Sequence, residues 1–406
     1  MFNKTFDVAV VGAGPAGSTL AYRLAILGFD VVLIDKEWFP RKKVCAGGLP
    51  ARALEILPFD ISSVIEKQIF QVNLNYKLRD NFKKNYCKPL IYTVNREKFD
   101  NFLVQEAKKA HITFLEGQKC ENVFIENNIC TIYTHERILK AKIIVGADGA
   151  NSSVARCVNL KPFDFLHIGL NTEIPILNKD EHKCIEYREM IALDLGSIRN
   201  SYAWVFPKND SLSVGVGVQG QFNFGGRLKD YHTRWLSYLG IDSLNTKLTG
   251  HIIPHRISKR PISSERVLLV GDAAGLTNFW TGEGIFFAIK SSQIAANYIK
   301  KYLDGDKKAI RDYEVSINKE ILPEIRASYV LSLVFNHSSS IAFKLIKKYN
   351  YPWDVFCRVM RGDRTFVEIR ERFNLGHIIK KFLYLYKGKR NISTSKDGEH
   401  WTRKNI

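Results

Sequence analysis

The chain reads Val10-Val11-Gly12-Ala13-Gly14-Pro15-Ala16-Gly17 near its N-terminus, directly after an apolar run that begins at Phe6. Glycines in this G-x-G-x-x-G spacing allow a tight turn, close approach of the backbone to a pyrophosphate, and close packing of a helix on a strand. A second apolar run, Val31–Ile34, leads to Asp35, where a carboxylate can accept hydrogen bonds from ribose hydroxyl groups. The stretch therefore predicts a β-α-β unit that binds a dinucleotide.

Two later segments repeat the pattern of a buried strand that ends in a turn of glycine and aspartate. They are Ile143-Ile144-Val145-Gly146-Ala147-Asp148-Gly149 and Val267-Leu268-Leu269-Val270-Gly271-Asp272. After the second, Gly282-Glu283-Gly284-Ile285 opens a predicted helix. Alternating strand-like and polar segments over Phe165–Gly217 predict an antiparallel sheet between the parallel pieces. The expected fold class is α/β, with a discontinuous nucleotide-binding domain interrupted by a second domain.

Local patterns predict several elements between these motifs. Arg96–Lys109 carries apolar residues at helical spacing and is predicted as a helix. Ile138–Ala141 and Ile143–Val145 are predicted as separate strands. Asn127-Asn128 is predicted as a hairpin turn, because asparagine tolerates the left-handed backbone conformation.

The composition is that of a globular chain in a reducing compartment. With 406 residues, 46.5 kDa, 45% hydrophobic and 25% charged residues, the chain is long enough for two or three domains. Seven cysteines are scattered along it, and Met1–Asp7 leads straight into the first strand without a secretory leader. No apolar run reaches the roughly 18–20 residues of a membrane span. We expect a cytoplasmic protein.

Positive charge is concentrated towards the C-terminus. Lys and Arg number 60 against 41 Asp and Glu, a formal net charge of +19, and residues 331–406 carry 16 basic and 6 acidic side chains. This region reads as amphipathic helices, with Pro323 and Pro352 as breaks. Its basic residues are interleaved with Phe366, Phe373, Phe382, Tyr384 and Tyr386. A peripheral contact with an anionic membrane, a phosphorylated substrate and a solvated basic face all stay open. No nucleic-acid fold signature accompanies the charge, so no nucleic-acid partner is expected.

The three glycine–aspartate motifs, in this order, resemble those of the flavoprotein family that includes the aromatic hydroxylases and geranylgeranyl reductases, in which they bind FAD together. The resemblance spans about residues 5–300. It implies a discontinuous Rossmann-like FAD-binding domain, an antiparallel β-sheet substrate domain and a basic helical C-terminal region. The expected limits are residues 1–70, 93–157 and 256–330 for the first, 71–92 and 158–255 for the second, and 331–406 for the third.

Two further segments are similar to geranylgeranyl reductases, flavoenzymes that saturate isoprenoid double bonds. Pro40-Arg41-Lys42-Lys43-Val44-Cys45-Ala46-Gly47-Gly48-Leu49 matches P-x-x-K-x-C-x-G-x-L. Tyr202-Ala203-Trp204-Val205-Phe206-Pro207 matches Y-x-W-x-F-P. Thr281-Gly282-Glu283-Gly284-Ile285 also agrees with that branch, but many relatives have proline where this chain has Asn278-Phe279-Trp280.

The resemblance implies which residues hold the cofactor. The first glycines would meet the pyrophosphate, Asp35 the adenosine ribose, and Arg96 would reach across the FAD. Val123 would lie beside the adenine, Asp148 would hold that region together, and Asp272 would contact the ribityl or ribose side. The helix after the third motif would aim its N-terminus at the flavin N1–C2=O edge, where negative charge develops on reduction. The complete set of expected cofactor contacts is Gly12, Ala13, Gly14, Pro15, Ala16, Gly17, Asp35, Lys36, Cys45, Ala46, Gly47, Arg96, Val123, Asp148, Gly149, Asp272, Gly282, Gly284 and Ile285.

The same resemblance places Cys45 in a loop near the isoalloxazine. When flavin hydride adds to one carbon of an unconjugated double bond, a nearby acid must protonate the other carbon, or the site must stabilise the developing positive charge. The Cys45 thiol, or a water that it holds, is the candidate donor or positioning group. A small residue that packs under the flavin is the alternative. The neighbouring Arg41, Lys42 and Lys43 could reach a diphosphate, a phospholipid head group or the FAD phosphates, or could form a solvated cluster.

Tyr202, Trp204 and Phe206 alternate along one strand and therefore face one side of it. They would wall an apolar slot for a prenyl chain, or else form an ordinary sheet core. Gly215 and Gly217 would leave room on a facing strand, so these five residues are the candidate substrate contacts.

The expected function is an FAD-dependent reductase that saturates C=C double bonds of a geranylgeranyl-type isoprenoid chain by flavin hydride transfer plus protonation. A prenyl lipid or prenyl diphosphate would be the substrate, and NAD(P)H or a ferredoxin-like protein would supply the electrons. No metal is expected, because Pro254 interrupts the only close histidine spacing, His251 and His255. The alternatives are an FAD-dependent monooxygenase or halogenase acting on an aromatic or apolar substrate, and a non-catalytic flavin-binding or membrane-tethered protein.

Overall fold

The computed structural model describes residues 4–176, 185–219, 225–241 and 247–372. The strands are β1 (Thr5–Val11), β2 (Val31–Ile34), β3 (Gly48–Leu49), β4 (Ile65–Ile69), β5 (Gln71–Tyr76), β6 (Asp80–Asn85), β7 (Ile91–Val94), β8 (Thr113–Leu115), β9 (Cys120–Glu126), β10 (Ile129–Thr134), β11 (Ile138–Gly146), β12 (Phe165–Pro175), β13 (Met190–Leu195), β14 (Ser201–Pro207), β15 (Ser211–Val218), β16 (Thr249–His255), β17 (Ser263–Ser264) and β18 (Val267–Leu269). The α-helices are α1 (Pro15–Ile26), α2 (Ala51–Glu55), α3 (Arg96–Lys109), α4 (Ser153–Cys157), α5 (Gly225–Leu239), α6 (Ile285–Leu303), α7 (Ala309–Glu320), α8 (Leu322–Lys348), α9 (Asn350–Arg361) and α10 (Phe366–Arg372).

The first sheet has a parallel centre, in the order β17-β18-β11-β1-β2-β8. Helices cover both of its faces, which is why β2 and β18 are fully buried and read as unbroken apolar runs. Val11 pairs with Ile34 and with Gly146, and Gly146 pairs with Leu269. The carboxyl ends of four strands therefore meet at one edge, and the predicted β-α-β unit is confirmed.

Strands β9, β10 and β11 form a meander beside this sheet. Asn127 and Asn128 have φ values of +48° and +64°, which confirms the predicted hairpin turn. The prediction of separate strands at Ile138–Ala141 and Ile143–Val145 is wrong, because β11 is continuous. Its first half pairs with β10 and alternates exposed and buried residues, whereas its second half enters the parallel sheet, where both faces are covered.

The second sheet runs in the order β16-β12-β15-β14-β13-β5-β6. It confirms the antiparallel prediction with one exception, since β13 and β5 are parallel. A parallel pair needs a long connection, and here the chain between β5 and β13 passes through much of the first sheet. Helix α5 covers one face, where Tyr231 and Trp235 are buried among the small apolar residues of β14 and β15.

The described part of the C-terminal region, residues 331–372, contains the second part of α8, then α9 and α10. Pro323 and Pro352 lie in the first turns of α8 and α9, where a missing N–H costs no hydrogen bond. Helix α8 bends at Ser338, whose φ and ψ are −121° and 18°. Within the described ranges, no helix combines the length and apolar character needed to cross a bilayer.

Of the five aromatic residues named in the C-terminal region, one is buried and the other four lie outside the described residues. Phe366 is buried, so its side chain is not available for the membrane contact considered from the sequence. Its ring packs instead with Trp280, at a centroid distance of 5.7 Å. The other aromatic residues of that prediction lie outside the described residues: Phe373, Phe382, Tyr384 and Tyr386.

Candidate cofactor site

The glycines between β1 and α1 are required by close backbone contacts. Gly12 has a φ of +103°, and a Cβ there would lie 2.4 Å from the Ala147 carbonyl oxygen. A Cβ on Gly17 would lie 1.8 Å from the Gly12 carbonyl oxygen. Gly14 faces open space instead, since the nearest atom to its absent Cβ is Arg41 Nη2 at 3.7 Å. No described side chain caps α1, so its first N–H groups are available to a ligand.

Arg41 supplies a positive charge beside this helix start. Its Nη2 lies 3.0 Å from Asp100 Oδ2, and its guanidinium lies 4.9 Å from the Phe39 ring centroid. Nη1 is buried and has no hydrogen-bond partner among the described residues. A buried guanidinium N–H without an acceptor is unfavourable, and a phosphate oxygen is an acceptor that fits it. Lys42 is exposed, so the basic run Arg41–Lys43 divides between this site and solvent.

Asp35 closes the turn after β2. Its Oδ2 accepts from the Ala13 N–H at 2.6 Å, and its Oδ1 accepts from the Glu37 N–H at 2.9 Å. Each carboxylate oxygen keeps a lone pair that can accept from a ribose hydroxyl. Lys36 is exposed, and its ammonium group pairs with the Glu37 carboxylate at 3.7 Å on the protein surface.

The second motif holds the start of α4. Asp148 Oδ2 accepts from the Ser153 N–H at 2.6 Å and from the Val154 N–H at 3.3 Å. Burial raises the pKa of Asp148, and no described residue offers a hydrogen bond to its Oδ1. Gly149 has a φ of +77° beside open space, and Val123 is buried in the core of the first sheet. Five further residues expected to contact the cofactor, in other segments of the site, are buried or half-buried: Ala13, Pro15, Ala16, Ala46 and Ile285.

The third motif places a carboxylate against the start of α6. A Cβ on Gly284 would lie 3.2 Å from Asp272 Oδ1, and Thr277 Oγ1 donates to the same oxygen at 3.3 Å. Burial raises the pKa of Asp272, although Lys43 and Arg96 act in the opposite direction. No described side chain caps α6, so its first N–H groups resemble those of α1 in being open to a ligand.

Asn278 shapes the turn that precedes α6. Its Oδ1 accepts from the N–H groups of Trp280 at 3.0 Å and Thr281 at 3.1 Å. Its backbone carbonyl accepts from the N–H of Gly282, which has a φ of +71°. A side-chain amide thus closes the turn, and the helix after it is intact.

Arg52 on α2 clamps the same turn, and it belongs to none of the sequence motifs described above. It donates to Glu283 from Nη2 at 2.6 Å and from Nε at 3.3 Å, and its Nη1 lies 3.6 Å from Glu324 on α8. Burial lowers the pKa of Arg52, but the two glutamates more than offset this effect. The guanidinium lies 4.2 Å from the Phe286 ring centroid. Sequence reasoning missed the clamp, because Arg52 and Glu283 are 231 positions apart.

Cys45 is a free thiol in a loop that β7 and α3 hold. The Gly47 N–H donates to Cys45 Sγ at 3.3 Å, and a Cβ on Gly47 would lie 2.2 Å from the Val94 carbonyl oxygen. Arg96 makes two hydrogen bonds of 2.8 Å to Asp100, and its guanidinium lies close enough to Cys45 to interact with it electrostatically. Burial would lower the pKa of Arg96, but Asp100 raises it. The thiol therefore lies next to a fixed positive charge.

Lys43 and His251 form a second pair in this cluster. Lys43 Nζ lies 3.4 Å from His251 Nε2. Burial and Arg96 lower the pKa of Lys43, and burial with both cations lowers the pKa of His251 to about 3. A neutral imidazole nitrogen can accept from the ammonium group. Neither residue was expected to have this partner.

A pair of buried histidines lies behind the turn. The His167 and His255 ring centroids are 3.8 Å apart, and Phe279 packs against both rings. His255 Nδ1 donates to the Thr277 carbonyl at 3.1 Å. Burial lowers the pKa of His255 to about 3 and that of His167 well below its usual value. Nowhere in the described ranges do three His, Cys, Asp or Glu side chains come together as a metal site.

The aromatic side chains of β14 face the cofactor loops, on the side of the second sheet opposite α5. Tyr202 Oη donates to the Thr281 carbonyl at 2.8 Å, and burial raises the pKa of Tyr202. The Tyr202 and Trp204 ring centroids are 5.6 Å apart. At the other end of the strand, a Cβ on Gly48 would lie 2.7 Å from the Phe206 ring. The three rings therefore share one face that spans from the α6 turn to the Cys45 loop.

Gly215 and Gly217 leave room on β15, and Trp204 fills it. A Cβ on Gly215 would lie 2.3 Å from Trp204 Cζ2, and one on Gly217 would lie 3.3 Å from Trp204 Cζ3. The indole lies across both glycines, so the room that they leave is occupied by Trp204. These glycines shape the face through the position of Trp204.

Polar side chains border the same face. Trp204 Nε1 donates to Asn171 Oδ1 at 3.2 Å, and Ser213 Oγ donates to the same oxygen at 3.0 Å. Asn171 Nδ2 donates to Glu173, which pairs with Lys208 at 2.9 Å. The face is thus aromatic towards the cofactor loops and polar towards β12, which the sequence pattern did not indicate.

Comparison with known proteins identifies the family. A family described as "FAD binding domain" matches residues 5–314. An uncharacterised protein of Methanosarcina barkeri is 33% identical over 376 residues, which cover 90% of this chain and 94% of that one. The chloroplastic geranylgeranyl diphosphate reductase of Arabidopsis thaliana is 30% identical over 365 residues, which cover 83% of this chain and 76% of that one. The crystal structure of a geranylgeranyl bacteriochlorophyll reductase-like protein from Thermoplasma acidophilum superposes with a TM-score of 0.72 at 24% identity, covering 85% of this chain and 92% of that one.

The matched range contains all three glycine–aspartate motifs, and the resemblance inferred from them is confirmed. The local structure fits the cofactor, because an open glycine cradle at a helix start lies beside a buried guanidinium N–H that lacks an acceptor. The chain belongs to the FAD-binding domain family and is an FAD-dependent oxidoreductase related to the geranylgeranyl reductases.

Proposed function

We propose that this protein is a reductase that saturates C=C double bonds of a geranylgeranyl-type isoprenoid chain. The contact between the aromatic face of β14 and the two loops expected to flank the flavin carries the proposal. Tyr202 Oη meets the Thr281 carbonyl at 2.8 Å, and Phe206 packs on Gly48 beside the Cys45 loop. An isoprenoid chain that lay along these rings would pass between the two loops, and aromatic faces stabilise a developing positive charge.

The residues proposed to hold FAD follow from the turns described above. The N–H groups at the start of α1 and the free Nη1 of Arg41 would bind the diphosphate, and Asp35 would accept from the adenosine ribose. The start of α6 would face the flavin N1–C2=O edge, with Asp272 behind it. When bound, FAD supplies the hydride-transfer chemistry.

Cys45 is the proposed proton donor. Its sulfur already accepts from the Gly47 N–H, so the thiol proton is left to donate, and the Arg96 guanidinium lies nearby. Lys43 and His251 form the adjacent pair through which the thiol could regain its proton. NAD(P)H or a ferredoxin-like protein would supply the electrons, and a prenyl lipid or prenyl diphosphate would be the substrate.

Mass spectrometry of anaerobic reactions tests this function. Protein with chemically reduced flavin is mixed with geranylgeranyl diphosphate or with a geranylgeranylated glycerophospholipid, and each substrate should gain two hydrogens per reduced bond. A product that forms only with oxygen and carries an added oxygen or halogen would overturn the proposal in favour of a monooxygenase or halogenase.

A Cys45→Ser variant tests the proton donor. Because a hydroxyl is a much weaker acid than a thiol, this variant should bind and reduce FAD normally yet lose product formation by about 100-fold or more. Cys87→Ser is the matched control, since Cys87 is an exposed free thiol. Equal turnover by the two variants would remove Cys45 from this role.

A further inference from the structure

The bent end of α8, after Ser338, docks on the edge of the second sheet. Phe343 is buried between the rings of Tyr76 and Phe82, each at a centroid distance of 5.3 Å. Lys84 Nζ donates to a backbone carbonyl of the same segment at 2.9 Å. These contacts fix the inner face of the helix end and therefore determine which side chains point outward.

The opposite face exposes apolar and basic side chains together. Ile341 is 63% exposed and Leu345, one helical turn later, is 42% exposed. Lys344 and Lys348 are exposed on the same side of the helix. In order along the chain, the two apolar and two basic residues stand at positions i, i+3, i+4 and i+7, which share one helix face. Two exposed tyrosines continue this surface into α9. We call the whole the outer patch, defined as Ile341, Lys344, Leu345, Lys348, Tyr349 and Tyr351.

The sequence segment that carries the outer patch has basic side chains and no acidic ones. The sequence from His337 to Trp353 contains no aspartate or glutamate. Arg372, where the described chain ends, lies 5.6 Å from the Tyr351 ring centroid. The residues that follow, 373–406, carry 8 Lys and Arg against 2 Asp and Glu. A basic segment gains nothing electrostatically by covering a basic patch, whereas an anionic surface attracts both.

An apolar cluster lies between the outer patch and the aromatic face of β14. Ile346, on the inner side of the turn that carries Leu345, packs in one cluster with Trp353 and Ile91. Phe206 packs against the same cluster. Among the described residues, this cluster therefore forms an apolar connection between the outer patch and the aromatic face.

We propose that the outer patch docks the protein on the surface of an anionic phospholipid bilayer. Ile341 and Leu345 would enter the head-group boundary, and Lys344 and Lys348 would pair with lipid phosphates. The patch alone argues for docking, while the delivery of a prenyl chain from the bilayer to Phe206 also rests on the proposed reductase function.

Vesicle co-sedimentation of the full-length, FAD-loaded protein tests the proposal without any substrate. Vesicles of phosphatidylcholine alone are compared with vesicles that also contain phosphatidylglycerol, at low and high salt. The double variant Ile341→Asp/Leu345→Asp should lose about tenfold or more of its affinity for the mixed vesicles, because two exposed apolar anchors are replaced by anions. Lys344→Gln/Lys348→Gln should lose about fivefold per lysine, and only on anionic vesicles.

Ile26→Asp/Val315→Asp is the matched control. Ile26 and Val315 are 59% and 58% exposed on other helices, and the change in charge is the same. This control should bind like the wild type, and retained flavin absorbance shows that each variant is folded. Equal loss in both aspartate variants, or wild-type binding that ignores lipid charge and salt, would overturn the proposal. So would a dimer in light scattering that Ile341→Asp/Leu345→Asp dissociates, because the occupant would then be a second copy of the chain. A failure of docking leaves the anaerobic reductase assay unaffected, so the two proposals fail separately.

Discussion

Arg41 and Arg96 share a single carboxylate, that of Asp100. Arg96 takes both oxygens at 2.8 Å, and Arg41 adds a contact of 3.0 Å to Oδ2. One anion does not balance two cations, so this group keeps a net positive charge between Gly14 and Cys45. A buried excess charge is energetically unfavourable unless an anionic ligand compensates it, and we propose that the FAD diphosphate does so.

Arg41→Met should weaken FAD binding about ten- to a hundredfold, the value of one or two charged hydrogen bonds. The fold should survive, since Asp100 keeps both of its bonds to Arg96. Quenching of FAD fluorescence on titration into apoprotein measures the affinity. Lys42→Met is the control, because Lys42 is exposed in the same loop. Identical affinities in the two variants would place the diphosphate elsewhere.

At the scale of elements, strands β12 and β16 bring two neutral imidazoles into one apolar layer. Residues 165 and 255 pair across these strands, as do residues 167 and 253, so His167 and His255 lie on neighbouring positions. Both rings have a pKa in the folded protein below the usual 6.5. The unfolded chain therefore binds more protons as the pH falls below 6.5, and the free energy of unfolding decreases.

Wild-type protein should lose about 2 kcal/mol of stability through His255 alone between about pH 7.5 and about pH 5, if its pKa is near 3 when folded. Urea unfolding at the two pH values measures the loss. His255→Gln can still donate to the Thr277 carbonyl but does not titrate, so it should show a smaller loss. His135→Gln, on the exposed surface, should keep the wild-type dependence. The same loss in all three proteins would contradict the buried-histidine account.

Elements built on local periodicity were predictable, and contacts between distant segments were not. Helix α3 runs from Arg96 to Lys109 as predicted, because its apolar spacing lies within one short stretch. The split in β11 was mispredicted because its environment changes from one covered face to two along its length. Lys43 and His251 are 208 positions apart, and only the packing of the loop on β16 brings them together. Lys43 belongs to the P-x-x-K-x-C segment and His251 to a spacing considered for a metal, but nothing in the sequence linked the two residues.

At the scale of the whole molecule, Arg52 joins three separate parts. It connects α2 to the turn before α6 and to Glu324 of α8. Glu324 in turn accepts from the N–H of Phe366 at the start of α10. A single cation therefore links the proposed flavin edge to the C-terminal helices.

Arg52→Met should lower the free energy of unfolding by about 3–5 kcal/mol, because it leaves two largely buried carboxylates without their cation. The triple variant Arg52→Met/Glu283→Gln/Glu324→Gln should recover much of this loss. Arg358→Met is the control, since its pair with Asp354 is exposed to solvent and should contribute little to the free energy of unfolding. Urea unfolding measures all four proteins. A triple variant no more stable than Arg52→Met would show that lost packing, rather than stranded charge, sets the effect.

The order of the cofactor loops along the chain has a consequence for how the protein matures in the cell. The turn at Gly12–Gly17, proposed to bind the diphosphate, leaves the ribosome before the strand carrying Tyr202 and the helix start at Gly284, which are synthesised roughly two hundred or more residues later. A nascent chain could hold the nucleotide end of the cofactor, but the proposed flavin site would not be complete until the segment with Gly284 had been synthesised. Tight binding of flavin is therefore expected only after the segment with Gly284 has been synthesised, and products truncated before this segment should be colourless.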